Sequence, residues 1–382
     1  MTRALRIHAG PAARARLRDR GLRPGDVLAV PGAAGGPKGL VLNALDRFLF
    51  GHWLAGEGAP VHLLGASIGA WRMASACVGD ADATLAEMAR HYIEESYLDA
   101  DAVARARQQT GRRVPQPGAA AVSRALRARL STHLGARIGE LLQHPRFRLH
   151  LFTSHGVHPL LRREGRLRTL AGYAAAYAAN LRCRAAMGNW LERVVFSDPR
   201  TALPFDASDY AGRVCALRTD NAFEALVASC SIPFWLEAVH DIPGAPPGAY
   251  WDGGITDYHL HLDYASALRH RDGADDAPRL VLYPHFQPTV VPGWLDKRLS
   301  HRHGATARLD NVVLLVPDAD WIARLPNGKL PDRRDFKAYG VDHGARALVW
   351  RRALAESQRL ADDFAQIVSS GGAIEAEPLA RR

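Results

Sequence analysis

The stretch VHLLGASIGAWRMASAC, residues 61–77, decides how the rest of the chain is read. Val61, Leu63 and Leu64 form a short apolar run of strand type, and Ala70 to Cys77 continue as a helix of small and apolar residues. Between them lies Gly65-Ala66-Ser67-Ile68-Gly69, a G-x-S-x-G pentapeptide. Strand, sharp turn, helix is the order that lifts a serine hydroxyl out of the backbone at the end of a sheet. Glycine is needed on both sides, because a Cβ at Gly65 or Gly69 would press on the neighbouring strand and helix. The helix that follows aims its first N–H groups, beginning with that of Ile68, at the same spot, where they would stabilise negative charge on a substrate oxygen. Ser67 is therefore the candidate nucleophile. A bare glycine turn is the competing reading, and the strand before and helix after it argue against that.

A second strand–loop–helix lies upstream. Asp26 to Pro31 (DVLAVP) reads as the first core strand, runs into Pro31-Gly32-Ala33-Ala34-Gly35-Gly36-Pro37-Lys38-Gly39, and gives way to a helical pattern from Leu40 to Trp53. Free backbone N–H groups in such a loop gather around an anion. A phosphate cradle would need G-x-x-x-x-G-K-[ST] or G-x-G-x-x-G; neither fits, because Lys38 is followed by Gly39 and not preceded by glycine. An oxyanion loop for acyl transfer needs only two adjacent amides close to the serine, and Gly35 and Gly36 supply them. A plain glycine turn is the remaining alternative.

Composition bounds the class. At 382 residues and 47% hydrophobic, the chain has length for one large α/β domain with an inserted cap or for two ordinary domains. The net charge of +10 comes mostly from arginine, since lysine occurs only at Lys38, Lys297, Lys329 and Lys337. Such an excess favours anionic lipid head groups, or is a solvated face; no nucleic-acid module or aromatic-basic repeat is present, so nucleic acid is not an expected partner. Cys77, Cys183, Cys215 and Cys230 show no C-x-x-C spacing, which speaks against a zinc knuckle or disulfide framework and fits a reducing, cytoplasmic setting. The N-terminus lacks the apolar core of a signal peptide. The weakly polar run Thr169 to Leu181 is too short to span a bilayer and reads as a buried or interfacial helix.

In chain order, Arg3 to Gly21 reads as a mixed opening segment with a short arginine-rich helix. Asp80 to His144 reads as inserted helices, one capped by Thr84 and a second over Ala119 to Leu142, with a loop at Gly111 to Gly118. Arg148 to Thr153 is a strand, Thr169 to Arg193 a helix and Val194 to Phe196 a strand. A helix starting at Asn221 stops by Pro233, and Tyr250-Trp251-Asp252 is a short aromatic strand breaking into a turn at Gly253-Gly254. Leu280 to Tyr283 and Val312 to Val316 are apolar strands, and Asp335 to Ser369 is a long amphipathic closing helix with breaks near Gly340 and Gly344.

With these pieces placed, the chain resembles the patatin-like phospholipase family. The resemblance rests on four segments in the family's order: Ala34-Gly35-Gly36-Pro37-Lys38-Gly39, Gly65-Ala66-Ser67-Ile68-Gly69, Ala228-Ser229-Cys230-Ser231-Ile232-Pro233 and Asp252-Gly253-Gly254. It implies a three-layer α/β/α fold with a mostly parallel central sheet and a helical cap insert. In domain terms it implies one catalytic domain over residues 1–370, with core motifs within 28–257, a cap insert at about 80–193 and a flexible tail at 371–382. It further implies a Ser-Asp dyad, with Ser67 as nucleophile and Asp252 as its base. Gly35, Gly36 and Ile68 would line the oxyanion hole, and Lys38, Gly39, Gly65, Gly69, Gly253 and Gly254 would shape the loops around it. Ala34 replaces a first glycine often found there, and Pro37 removes one donor at a position the family varies.

The chemistry expected is cleavage of carboxylic esters through an acyl-enzyme, without cofactor or metal, on phospholipids or lysophospholipids, with peripheral contact to an anionic membrane. Thioesterase, acyltransferase or polyester hydrolase chemistry would use the same dyad, and a noncatalytic lipid-binding protein would keep the fold. His155, His158, His259 and His261 are rivals for the base, and His259-Leu260-His261 is a rival partial metal site without a third ligand in reach by spacing.

Overall fold

The computed structural model describes residues 3–94, 96, 117–269 and 279–380. Its strands are β1 (Leu5–Ala9), β2 (Val27–Gly32), β3 (Val61–Ala66), β4 (Phe147–Gly156), β5 (Leu191–Ser197), β6 (Gly212–Ala216), β7 (Val239–His240), β8 (Ala249–Asp252), β9 (Leu280–Pro284), β10 (Val312–Pro317) and β11 (Glu377–Pro378). They form one sheet in the order β11-β1-β10-β9-β2-β3-β4-β5-β6, with β8 laid on β4 and β7 on β8. The run from β10 through β9, β2 and β3 to β4 is parallel. Antiparallel pairing enters at β1–β10, β4–β5, β4–β8 and β7–β8.

Parallel strands covered on both faces have no solvent side, so they are apolar along their length and do not alternate. Every residue of β2, β3, β4, β9 and β10 is buried, whereas edge strand β6 buries only Cys215. The helices that matter below are α1 (Pro11–Arg20), α2 (Asn43–Phe48), α3 (Ile68–Ala76), α4 (Ala81–Ile93), α5 (Ala119–Leu134), α6 (Arg166–Arg182), α7 (Ala222–Cys230), α8 (His343–Glu356) and α9 (Gln358–Ser369). With helices flanking a mostly parallel sheet, the architecture is three-layer α/β/α. Among the described residues no helix is long and apolar enough to cross a membrane.

Several expectations are corrected. The opening segment contains a strand, β1, whose Leu5, Ile7 and Ala9 are inward or near-inward while Arg6 is exposed, so Asp26–Pro31 supplies the second strand of the sheet and not the first. Helix α4 is capped by Asp80, whose carboxylate accepts the Ala83 N–H at 3.1 Å; the Thr84 hydroxyl donates back to the Asp80 carbonyl. The helix read through Arg193 stops at Arg182, because Cys183 is extended and Leu191 to Arg193 already belong to β5. The region 80–193 is not one cap, since β4 lies within it and sits between β3 and β5 in the sheet. The loop read at Gly111–Gly118 lies outside the described residues up to position 116. The closing helix is divided at Gly340, which has φ +51°, and again at Ser357. Within 371–382, expected to be a flexible tail, residues 374–379 dock against α1 and β1: the Ile374 N–H donates to the Leu17 carbonyl of α1, that of Leu379 to the Ala9 carbonyl of β1, and Glu377–Pro378 pair with His8–Ala9.

Helix α3 is fixed to its neighbours by a buried ion pair. Arg72 donates to Asp46 of α2 through Nε at 2.6 Å and Nη2 at 2.7 Å, and both side chains are fully buried. Burial pushes the Asp46 carboxyl up, against the pull of Arg72. Removing one partner would strand the other charge in the core. Arg72→Leu should therefore cost about 3–5 kcal/mol, and adding Asp46→Leu should restore most of it. Denaturant midpoints of the single and double variants check this; a double variant no more stable than Arg72→Leu contradicts it.

Candidate active site

Ser67 stands where β3 ends and α3 begins, with φ +56° and ψ −127°. A side chain in the left-handed region stores strain, and it persists where the surroundings over-determine it. Two absent side chains make room: a Cβ on Gly65 would meet the backbone of Ala70, and one on Gly69 would land on the Gly32 carbonyl of β2. Hydrogen bonds do the rest. The Ser67 N–H donates to Ser229 Oγ at 3.0 Å, Ser229 Oγ donates to the Phe152 carbonyl of β4 at 2.7 Å, and Cys230 Sγ donates to the Ser67 carbonyl.

Asp252 ends β8, opposite Thr153 of β4. Ser67 Oγ donates to Asp252 Oδ2 at 2.6 Å, and Gly254 N–H donates to Oδ1 at 2.7 Å. The Asp252 N–H in turn donates to the Ser231 carbonyl at 2.8 Å, and Ser154 Oγ donates to the Asp252 carbonyl. Residues 228–233, at the end of α7, thus hold both partners: Ser229 takes the backbone of Ser67 and Ser231 that of Asp252. The family resemblance placed this segment in the motif set without assigning Ser229 and Ser231 these contacts. The turn after Asp252 is anchored through Asp257, which accepts two bonds from Arg193 of β5, while Arg193 also binds Asp209.

Ser67 and Asp252 are 4% and 6% exposed. Burial raises the Asp252 carboxyl above its ordinary value, opposed by the Ser67 hydrogen bond, the nearby Arg333 charge, the Gly254 amide and Lys297. A carboxylate so placed is a better proton acceptor than one in water.

The glycine loop closes over the same place. Gly36 has φ +58°, and a Cβ on Gly35 would press on the Phe286 ring. The amides of Gly35, Gly36 and Ile68 precede the first intrahelical bonds of the segments they open. Ala34 donates to the Tyr258 carbonyl and its Cβ faces Gly254; Gly253 abuts Phe152, and Gly39 lies against Ile68. Ala34 therefore fits the loop, and the proline at position 37 sits in the first turn of the short helix Gly36–Leu42, where its missing N–H costs no intrahelical bond.

Three cations surround this centre. The Lys38 ammonium lies 4.9 Å from the Phe286 ring centroid, and that of Lys297 lies 3.9 Å over Tyr258. The Arg333 Nε is 3.1 Å from where a Cβ of Gly36 would be. Much of Lys297 is open to solvent, yet loss of water around its ammonium, with Arg333 and Lys38 nearby, lowers its pKa to about 7. Burial also lowers Lys38. Among the described residues no carboxylate forms an ion pair with either lysine. Lys297 and Arg333 were not singled out by sequence, where each is one basic residue in a basic chain.

The histidine rivals have other partners, although the His259 ring stacks on Tyr258 and packs edge-on against Phe286 at the margin of the site. His155 Nδ1 is 2.9 Å from Glu192 Oε1 and its ring stacks on Tyr250; His158 stacks on Trp190. His259 Nδ1 accepts the Val291 N–H, and His261 Nε2 is 3.4 Å from Thr306 Oγ1. None of the four hydrogen-bonds to Ser67, and His259 and His261 join no ligand cluster among the described residues.

Losing Ser229 Oγ would remove the acceptor of the buried Ser67 N–H and one donor to the Phe152 carbonyl. Ser229→Ala should cost about 1–3 kcal/mol, seen as a lower thermal midpoint, while Ser229→Thr should keep most of the stability. An unchanged midpoint in the alanine variant would sink this account of how the turn is held.

A family model described as patatin-like phospholipase matches residues 34–260. No curated protein sequence matches the chain. Among solved structures, human GIVD cytosolic phospholipase A2 aligns at 12% identity with a TM-score of 0.41, over 97% of this chain and 66% of that one. VipD from Legionella pneumophila aligns at 12% identity with a TM-score of 0.34, over 97% of this chain and 70% of that one.

Proposed function

The chain belongs to the patatin-like phospholipase family, and from that premise we propose that it is a lipid acyl hydrolase working through Ser67 and Asp252. The observation that carries the proposal is the 2.6 Å hydrogen bond from Ser67 Oγ to a buried aspartate at a strained turn. Asp252 takes the hydroxyl proton as Ser67 Oγ attacks the ester carbonyl. The oxygen gains charge, and the amides of Gly35, Gly36 and Ile68 stabilise it. Collapse breaks the ester bond, the leaving alcohol takes the proton from Asp252, and an acyl group stays on Ser67. Water then repeats the sequence, giving its proton to Asp252 and releasing the fatty acid.

Lys38, Lys297 and Arg333 favour an ester that carries an anionic group next to the scissile bond, as phospholipids and lysophospholipids do. Membrane contact has a surface to match. Leu167, Leu170, Phe234 and Trp235 are more than half exposed, and Arg162, Arg163, Arg166 and Arg168 are exposed along the same stretch as the two leucines. Tyr173 joins this ridge to the site, its ring meeting both Phe234 and Trp251, the neighbour of Asp252. Apolar side chains beside arginines suit insertion at an anionic interface.

Turnover of p-nitrophenyl esters and of phospholipid vesicles by wild type, Ser67→Ala and Asp252→Asn tests the dyad. Both variants should lose activity by about a thousandfold or more while remaining folded. A fully active Ser67→Ala protein overturns the reading, and replacing His155, His158, His259 or His261 should leave the chemistry in place.

The pH profile tests the cations. On an anionic phospholipid, kcat/KM should rise as Asp252 loses its proton and fall again above about pH 7, where Lys297 loses its charge. On a neutral p-nitrophenyl ester, or in Lys297→Gln, the falling limb should be absent. A falling limb that survives Lys297→Gln assigns it to another group.

A further inference from the structure

We propose that Glu87 and His91 of α4 and His133 of α5 form a binding site for one divalent transition-metal ion of the zinc type. Their ligand atoms lie within 4.8 Å of one another. Glu87 and His91, four residues apart, share one face of α4. Glu87 Oε1 is 3.7 Å from His91 Nε2, and Glu87 Oε2 is 3.6 Å from His133 Nδ1. In a tetrahedral zinc site with bonds of about 2.0–2.1 Å, neighbouring ligand atoms are about 3.3 Å apart, so a small side-chain rotation suffices.

The hydrogen bonds decide which nitrogens face the carboxylate. Ser75 Oγ lies 2.8 Å from the Trp71 carbonyl and 3.0 Å from His133 Nε2. A carbonyl only accepts, so the single hydroxyl proton goes to Trp71 and His133 Nε2 must donate to Ser75. A neutral His133 then has a bare lone pair at Nδ1. That atom is buried, has no hydrogen-bond partner and faces Glu87. The ring as a whole is 3% exposed, and burial keeps it neutral, with a pKa lowered to about 4. His91 is placed differently: its Nε2, 3.7 Å from Glu87 Oε1, accepts from Arg90 Nη2 at 2.8 Å, so its single lone pair points at that guanidinium and becomes available to an ion only when Arg90 turns away.

Three electron-rich groups thus converge: the Arg90 guanidinium, 3.7 Å from Glu87 Oε1, stands between that oxygen and His91, while no donor stands between His133 Nδ1 and Glu87 Oε2. A lone pair 3.6 Å from a carboxylate oxygen is repulsive in a partly dry site, and a divalent cation between them turns each repulsion into a bond. The donor set, two imidazoles and one carboxylate, suits zinc and its first-row neighbours, leaving a fourth position for water. Ser75 is the outer partner that fixes the ring of a ligating histidine. Arg90 already donates to Glu94 Oε2 at 3.3 Å, so its guanidinium can turn there when the ion enters. Bound metal would join α4 and α5 to α3, because His133 meets Ser75 and packs edge-on against Trp71, about one turn beyond Ser67. Its role there is to brace the nucleophile helix and not to take part in the reaction.

Isothermal titration of chelator-treated full chain with Zn2+, with thermal unfolding in parallel, tests the site. Wild type should bind close to one equivalent and gain thermal stability on binding. Glu87→Gln and His91→Gln, at partly exposed positions that spare the fold, should each weaken binding at least tenfold and lose the stabilisation. His301→Gln, outside the cluster, should behave as wild type. Absence of zinc binding by the wild type, or binding that both cluster variants retain, overturns the proposal.

Discussion

A serine held at positive φ is the constraint on which the rest of this structure depends. The strand that ends there cannot relax, because the glycines on either side bring β2 and α3 into backbone contact and Ser229 captures the displaced amide. The same short segment after α7 captures Asp252 through the Ser231 carbonyl. One rigid piece therefore sets the distance between a hydroxyl and a carboxylate that are 185 residues apart in the chain. Residues whose own contacts are locked give a short, directed hydrogen bond without spending conformational freedom when a ligand arrives.

The second theme is charge in places that disfavour it. Asp46 and Arg72 neutralise each other beneath the nucleophile helix, and Arg193 satisfies Asp209 and Asp257 behind the turn that follows Asp252. These pairs are closed and serve the scaffold. Around the dyad the balance is left open: one raised carboxyl faces an exposed arginine and two lysines that form no ion pair with a carboxylate among the described residues. A negative group entering there would complete the charges left without a carboxylate beside the dyad.

Legibility followed sequence distance. Ser67, Gly35 and Gly36 stand in runs of consecutive residues whose order, strand then glycine then helix, carries its own geometry. Asp252 could be picked out only because its Asp-Gly-Gly turn comes last in an ordered set of motifs. Lys297 and Arg333 had no local signal, since what brings them to the loop is tertiary. Strand β1 did carry a signal, the alternation of Leu5, Ile7 and Ala9 with Arg6 and His8, but it is only five residues long and runs straight into the arginine-rich helix α1. The overrun of α6 into β5 has a related cause: Glu192 and Arg193 are not typical strand residues, and they are buried there because His155, Asp209 and Asp257 receive them.

The flank of the sheet formed by β9, β10, β1 and β11 also orders events in time. β1 is the first strand made, yet both strands that hydrogen-bond to it, β10 and β11, come from the last seventy or so residues of the chain. Until they emerge, its N–H and C=O groups have only water or a wrong partner, and an unpaired edge is a template for aggregation. Its shortness and the charge of Arg6 blunt that hazard. The flank that closes the sheet is thus bound to be assembled late, around a core in which β2, β3 and β4 can pair much earlier.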